Sequence, residues 1–385
     1  MQLSQFTWFT AGESHGEALV MMMEGMPAGF PIDMNQINTH LRRRQGGHGR
    51  GDRQKIERDT IHILSGVRNA QTLGSPIAML VQNRDWENWQ GKMGPQKFDT
   101  EPEKVTRLRP GHADMAGALK YAHDDVRNVL ERASARETTS RVAVGAVARQ
   151  CLSLFDIELH SFVRRIGAIE SDAQPPYDWD AVEGSVVRAP SHTEEMVAAI
   201  DAARAAGDTL GGVYEVVAEG LPVGLGSYVQ WDRKLDGLLA QAIMSIQAHK
   251  GVVVGAGWEA TQRPGSQVHD VIEADAEGDL GHRTNRAGGI EGGMTNGEPV
   301  VVQAAVKPIS TLLKPLDSAD LATRQKVEAH YERSDISVVP AAGVVGEAMV
   351  AIVLWTAFLD KFGGDSLSEI RRNYDGYVRS TARRE

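Results

Sequence analysis

The residue types and spacings best suited to chemistry lie in Arg107-Leu-Arg-Pro-Gly-His-Ala-Asp114. Arg107 and Arg109 alternate, so on an extended strand both guanidinium groups face the same way. Pro110-Gly111 turns the chain and leaves His112 on the turn, just before the apolar pattern of a helix. Further on, Glu131-Arg-Ala-Ser-Ala-Arg-Glu-Thr-Thr-Ser-Arg141 sets Ser134 and Glu137 at capping-box spacing, with arginines around the expected helix start. A helix N-terminus offers free N–H groups, and guanidinium forks add donors for phosphate or carboxylate. Two such clusters joined by a helical stretch point to a site for a small anion.

Other constellations fit the same chemistry. In Gly12-Glu-Ser-His-Gly16 the glycines let the backbone approach a ligand while Ser14 and His15 present a hydroxyl and an imidazole. The residue order is not that of the Gly-x-Ser-x-Gly hydrolase elbow, and no His-Glu-x-x-His zinc motif occurs. The segment from Arg42 to Arg53 mixes glycines with basic side chains and His48, and is expected to be a mobile cationic loop that closes over an anion. It has no Gly-Lys-Ser/Thr of a Walker loop, and no aromatic residues that would stack nucleic-acid bases. A Gly-rich run from Arg283 to Gly297, a strand at Val300 to Val306, then Lys307-Pro-Ile-Ser-Thr311 would cradle an extended cofactor with a phosphate tail. Arg333-Ser-Asp335 follows shortly before Val338-Val-Pro340.

These residues need elements to hold them. Alternation predicts a strand pair around Gly12 to Gly16, strands at 60–64, 75–81, 161–167 and 211–219, and a Val-rich strand near 252. Helical spacing predicts helices at 32–41, 142–155, 194–206, 232–246 and 318–331, and a last long helix opened by Pro340. Asn83 to Val105 reads as a polar loop or flap, and 376–385 as a flexible tail. Gly255-x-Gly-x-x-Ala260 matches the dinucleotide fingerprint, but Thr-Gln-Arg-Pro-Gly265 follows it where a helix is required. With no regular strand–helix alternation, the expected class is α+β.

Composition narrows the function. The chain has 385 residues and a net charge of −10, which argues against a general nucleic-acid or anionic-membrane binder. One cysteine, Cys151 in an apolar run, excludes internal disulfides and zinc clusters built on cysteine, and fits a reducing cytosol. Glu13, His15 and Glu17 break any N-terminal signal pattern, and the apolar run from Ala348 to Leu359 is too short to span a bilayer. The expectation is a soluble cytoplasmic protein.

Taken together and in this order, seven motifs closely resemble the chorismate synthase family. They are Gly12-Glu-Ser-His-Gly16, Arg44-Gln-Gly-Gly-His-Gly-Arg50, Arg109-Pro-Gly-His-Ala-Asp114, Arg132-Ala-Ser-Ala-Arg-Glu137, Gly288-Gly-Ile-Glu-Gly-Gly293, Lys307-Pro308 and Arg333-Ser-Asp335. The resemblance implies a single α+β domain of layered antiparallel sheets with flanking helices, assembled as a homotetramer. It implies loss of phosphate from 5-enolpyruvylshikimate 3-phosphate to give chorismate, with reduced FMN as cofactor, no net oxidation and no metal. It makes His15 the proton donor to the leaving phosphate, His112 the proton source for the flavin, and Asp335 the support of flavin N5. Ser14, Arg44, Arg50, Arg109 and Arg136 would bind substrate. Flavin contacts would be Arg132, Ala133, Ser134, Gln247, Ala248, Gly292, Lys307, Pro308, Ile309, Ser310, Thr311 and Arg333. Since no stretch is left for a nucleotide-binding element, reduced FMN would come from a separate flavin reductase rather than from NADPH on this chain. Two rival readings are a flavin-dependent oxidoreductase acting on an anionic small molecule, and an RNA-binding protein using the Arg42 to Arg58 loop.

Overall fold

Strand β2 (Ala18–Glu24) shows how the sheets are written into the chain. Leu19, Met21 and Met23 are fully buried while Val20 and Met22 on the opposite face are exposed, the period-two pattern of a one-sided sheet. It pairs antiparallel with β1 (Thr7–Ala11), in register from Thr7 on Glu24, so Gly12 to Gly16 lies in the connection. With β3 (His62–Ile63) and β4 (Ile77–Gln82) it forms a four-stranded sheet in the order β1-β2-β4-β3. A second, five-stranded sheet has the order β8-β9-β7-β5-β6, where β5 is Glu158–Ile166, β6 Ile169–Glu170, β7 Gly212–Glu219, β8 His249–Val254 and β9 Val300–Val306. Every pairing in both sheets is antiparallel. The computed structural model describes residues 6–51, 57–276, 278–332 and 334–381.

Helices fill the space between the sheets. Helix α1 (Met34–Gln45) starts at Asp33, whose carboxylate accepts from Asn35 N at 2.8 Å, and ends in Arg42, Arg43 and Arg44, cations at the negative end of the helix dipole. Two short helices, α2 (Asp114–Tyr121) and α3 (Arg127–Ala133), lead into α4 (Thr138–Ser153). Helix α5 (Thr193–Ala205) lies on β5, and α4 packs on β2 and β5 and along α7 (Val339–Phe362), which also covers β5, β7 and α6 (Leu235–Met244). One continuous core joins Met21 of the first sheet, Val144 of α4, Val350 of α7 and Val216 of the second sheet. The α4–α7 contact is very close: a Cβ at Gly145 would lie 2.4 Å from Ala348 Cβ.

Several expectations change. Residues 318–331 form a hairpin of strands Asp317–Ala319 and Lys326–Glu328 rather than a helix. Asp320 Oδ1 accepts from Ala322 N at 2.9 Å and Thr323 N at 2.8 Å, and this turn outcompetes the helical periodicity. The tail expected over 376–385 continues α8 (Leu367–Thr381) to Thr381, with Tyr377 against Phe362 and its hydroxyl donating to Val223 O at 3.0 Å, and its last four residues lie outside the described residues. The basic loop is not mobile as far as Gly51. Arg42 to Arg44 belong to α1, His48 N donates to Val186 O at 2.7 Å, and Gly49 O accepts from Ile336 N at 2.8 Å. Its remainder, with Arg53, lies outside the described residues. The apolar run belongs to a 24-residue helix, α7, long enough to cross a bilayer, but the helix is buried in the core.

The tight helix contact yields a stability prediction. Gly145→Ala should destabilise the protein by about 1–3 kcal/mol, because overpacking between two fixed helices outweighs the gain in helix propensity. Gly237→Ala on α6, where a Cβ would meet nothing within 4 Å, should be neutral or stabilising by up to about 1 kcal/mol. Urea midpoints of the two variants check the contrast.

Candidate active site

The cleft opens where the β1–β2 turn, the α3–α4 junction, the residues Glu332, Ser334 and Asp335, and the start of α7 meet. The α3–α4 junction is local chemistry: Ser134 Oγ accepts from Arg136 N at 3.2 Å, which starts a single 3₁₀ turn at Ala135–Glu137 before α4. The capping box is only half made. Glu137 does not return to Ser134 but binds Arg141 at 2.9 Å, Thr10 at 3.1 Å and Gln247 at 3.1 Å.

His15 is held by α3. Its Nδ1 lies 2.9 Å from Glu131 Oε1, and its backbone N–H donates to Glu131 Oε2 at 2.8 Å. Ser14 N donates to Glu131 O at 3.1 Å, and Ser14 Oγ donates to Ser134 Oγ at 3.1 Å. Burial by itself would raise the Glu131 carboxyl, but His15 and Arg127 hold it below the ordinary carboxylate range. An ionised carboxylate can only accept, so Nδ1 carries the hydrogen and Nε2 is the nitrogen left for a ligand in the cleft.

His112 is built alike, on the turn at Gly111 with its φ of 78°. Its Nδ1 makes a very short contact with Asp114 Oδ1, and Arg109 Nε and Nη2 donate to the same carboxylate at 2.8 and 3.0 Å. Burial opposes ionisation of Asp114, yet His112 and Arg109 hold its carboxyl far below the usual range. Arg109 therefore lines the cleft as the brace of the His112 turn, with Nε and Nη2 already committed. Arg107 is apart from it, its backbone in an antiparallel β-bridge with that of Asp320.

The other arginines also have acidic neighbours. Arg136 Nη1 donates to Asp59 at 2.6 and 2.8 Å, and its Nε and Nη2 donate to Asn83 Oδ1 at 3.0 and 2.8 Å. Arg50 Nη1 pairs with Asp335 Oδ2 at 3.0 Å, while Gly51 N donates to Asp335 Oδ1 at 2.7 Å. Arg44 donates to Thr138 Oγ1 and Ala135 O, both at 2.8 Å. Burial first, then Arg136 and Arg50, pull the Arg44 guanidinium down to about 9 against the effect of Asp59, so it is still a cation at neutral pH. Arg44 Nη1 and Arg50 Nε are buried with no hydrogen-bond partner among the described residues. A pair of orphaned guanidinium donors at one cleft is what a bound anion would satisfy.

Of the residues expected to hold a flavin, Ser134, Gln247, Ile309 and Thr311 line the cleft. Gln247 Oε1 is another buried atom without a hydrogen-bond partner among the described residues, and Ala341 and Ala342 of α7 give a low, apolar wall. Arg132, Ala133, Ala248, Gly292, Lys307, Pro308 and Ser310 are not among its lining residues. Arg132 instead donates to Thr10 O and Gly12 O at 2.9 and 3.1 Å, and Gly292 sits beside Tyr228. Lys307 Nζ donates to Gly111 O, beneath the His112 turn. Arg333 lies outside the described residues. Sequence reasoning missed Glu131, Asp59, Asn83 and Glu332, acidic or amide groups whose signal is burial against arginine or histidine, visible only in three dimensions.

Glu332 supports a pH prediction. It accepts from Arg127 at 2.9 Å and contacts His330 at 3.2 Å. Burial would raise its carboxyl, but His330, Arg127 and His15 bring it from the ordinary 4.5 to about 2. The folded state then binds this proton less tightly than the unfolded one. Its contribution is full above pH 4.5 and is lost as pH falls through about 2. After discounting for partial exposure, Glu332→Gln should cost about 1–3 kcal/mol at pH 6 and roughly half of that at pH 3. Denaturation midpoints of both proteins at the two pH values test it.

A family model described as chorismate synthase matches residues 6–359. The chorismate synthase of Geobacter sulfurreducens is 55% identical, with 96% of this chain and 98% of that protein covered. That of Symbiobacterium thermophilum is 54% identical, with 98% of this chain and 100% of that protein covered. A solved structure, "Crystal Structure of Chorismate Synthase", matches with a TM-score of 0.79 at 42% identity over 98% of each chain. The α+β expectation holds with it, as do the antiparallel layers. By its match over nearly the whole length in sequence and fold, this chain belongs to the chorismate synthase family, and it is a carbon–oxygen lyase.

Proposed function

We propose that this chain converts 5-enolpyruvylshikimate 3-phosphate into chorismate and inorganic phosphate, with reduced FMN as cofactor and no net oxidation. What carries the reading is one observation: two carboxylate-held histidines and two arginines with orphaned donors share one cleft. The substrate has two carboxylates and a phosphate, and Arg44 and Arg50 supply the unspent N–H groups such a ligand needs. Overall, the C–O bond to phosphate breaks, a ring hydrogen is lost, and the electrons of that C–H bond remain in the ring as a new double bond.

His15 delivers a proton from Nε2 to the departing phosphate, while Glu131 stabilises the imidazole from Nδ1. His112, steadied by Asp114 and Arg109, serves as the second proton source. Asp335, fixed by Arg50 and Gly51 N, would support flavin N5, a group able to take up the ring proton. Reduced FMN supplies the electron density that lets a non-acidic C–H bond be lost. Ser134, Gln247, Ile309 and Thr311 would hold it, against the wall of Ala341 and Ala342. A separate reductase provides the reduced flavin. The Gly255-x-Gly-x-x-Ala260 segment supports this, because it makes one helical turn after a strand of an antiparallel sheet and builds no nucleotide-binding unit. The assembly is a cytoplasmic homotetramer, for which the exposed Trp231, Trp258 and Tyr228 offer contact surface.

The deciding experiment is anaerobic turnover of the pure substrate with photoreduced FMN. Chorismate and phosphate should form in equal amounts with no NADPH consumed, and air with NADPH and oxidised FMN should give no product. Stoichiometric NADPH consumption would favour the oxidoreductase reading instead. His15→Ala and His112→Ala should each lose on the order of 10²–10⁴-fold in kcat while remaining folded.

Arg50→Ala addresses the anion donors separately. Substrate affinity should weaken by about 1.5–3 kcal/mol, the worth of a charge-assisted hydrogen bond, with much less effect on oxidised FMN. Calorimetric titration of both ligands measures the difference.

A further inference from the structure

The stretch after Asn83, expected as a loop or flap, has no part in the chemistry above. Its first residues are built as a 3₁₀ turn, Arg84–Asn88, and one helical turn, Gln90–Met93, with Trp89 between them. The Trp89 indole lies on the His15 imidazole, ring centroids 3.9 Å apart and planes inclined by 23°. We propose that Trp89 is a positioning residue for His15, fixing the plane of its ring so that Nε2 is presented to the leaving group. The inference rests on the proton-donor role of His15 in the proposed reaction.

The carboxylate of Glu131 fixes one ring nitrogen but not the ring plane. The final torsion of a histidine joins an sp³ to an sp² carbon and has a broad minimum, so the imidazole can swing while Nδ1 keeps its partner. A stacked ring removes that freedom. Trp89 is itself well held, since its Nε1–H donates to Asp85 Oδ2 at 3.0 Å and Asp85 Oδ1 accepts from Asn88 Nδ2 at 2.8 Å. Arg127 ties the parts together: its guanidinium lies 5.1 Å from the Trp89 ring centroid and donates to Glu131 Oε1 at 3.1 Å. The root of the segment is anchored to the same machinery. Asn83 Nδ2 donates to Gly16 O at 2.7 Å and Glu13 O at 3.2 Å, on either side of His15, while Asn83 Oδ1 accepts from Arg136. The turn bearing His15 and the indole above it therefore move as one unit.

Two measurements test this. An imidazole in contact with an indole quenches its emission, so His15→Ala should brighten Trp emission in the native background but not in the Trp89→Phe background. In anaerobic turnover with photoreduced FMN, Trp89→Ala should lower kcat roughly tenfold at unchanged KM, the factor expected from one aromatic stack. Trp89→Phe should restore most of the rate. In a His15→Ala background, Trp89→Ala should cost nothing more, since the two residues act as a unit. Independent, additive losses, a rise in KM with kcat retained, or equal emission changes in both backgrounds would overturn the positioning role and leave His15 as donor. Full turnover by His15→Ala alone would overturn both.

Discussion

The contact between α4 and α7 is the constraint on which the site depends. Gly145 brings the backbones so close that no Cβ fits against Ala348, and this sets the separation of the two helices where they meet. The residues leading into α4 carry Ser134 and Arg136, and the start of α7 carries Ala341 and Ala342; both groups line one cleft. A shift of either helix would widen the cleft and separate the arginines from the apolar wall.

Charge is the second constraint. A guanidinium taken from water must find partners, or its desolvation is uncompensated. Arg109 with Asp114, Arg136 with Asp59 and Arg50 with Asp335 meet that demand inside the cleft. Away from the cleft, Glu347 sits buried among Arg43, Arg149 and Arg188, where the three cations outweigh burial and keep its carboxyl far below the usual range. The cleft is thus not a reservoir of free positive charge. What it could offer an anion is a few unspent donors in a framework of paired arginines, which keeps those donors oriented before a ligand arrives.

Much of this was legible locally. The strand pair around Gly12 to Gly16, the Gly111 turn under His112 and Pro340 at the head of α7 all arise from interactions within a few residues, and the side-chain types announce them. The errors were local too. The 318–331 pattern suited a helix, but the Asp320 carboxylate was nearer to the amides of Ala322 and Thr323 than any helical partner. In the basic loop the glycines suggest freedom, whereas at Gly49 and Gly51 they allow backbone to lie against Ser337 and Ser334.

By itself the sequence determined the family, the order of the motifs and the turns that carry His15 and His112 into the cleft, because turns and periodic faces depend on neighbours along the chain. Only the tertiary structure decided what each chemical group touches. Glu131 reaches His15 across 116 positions, Asp59 reaches Arg136 across 77, and Gly51 reaches Asp335 across 284. Such partners leave no periodic trace, since any acidic residue at the right point in space would serve equally well. Their choice follows from how two sheets and the helices between them close on one another, a property of the packed core and not of any stretch of chain.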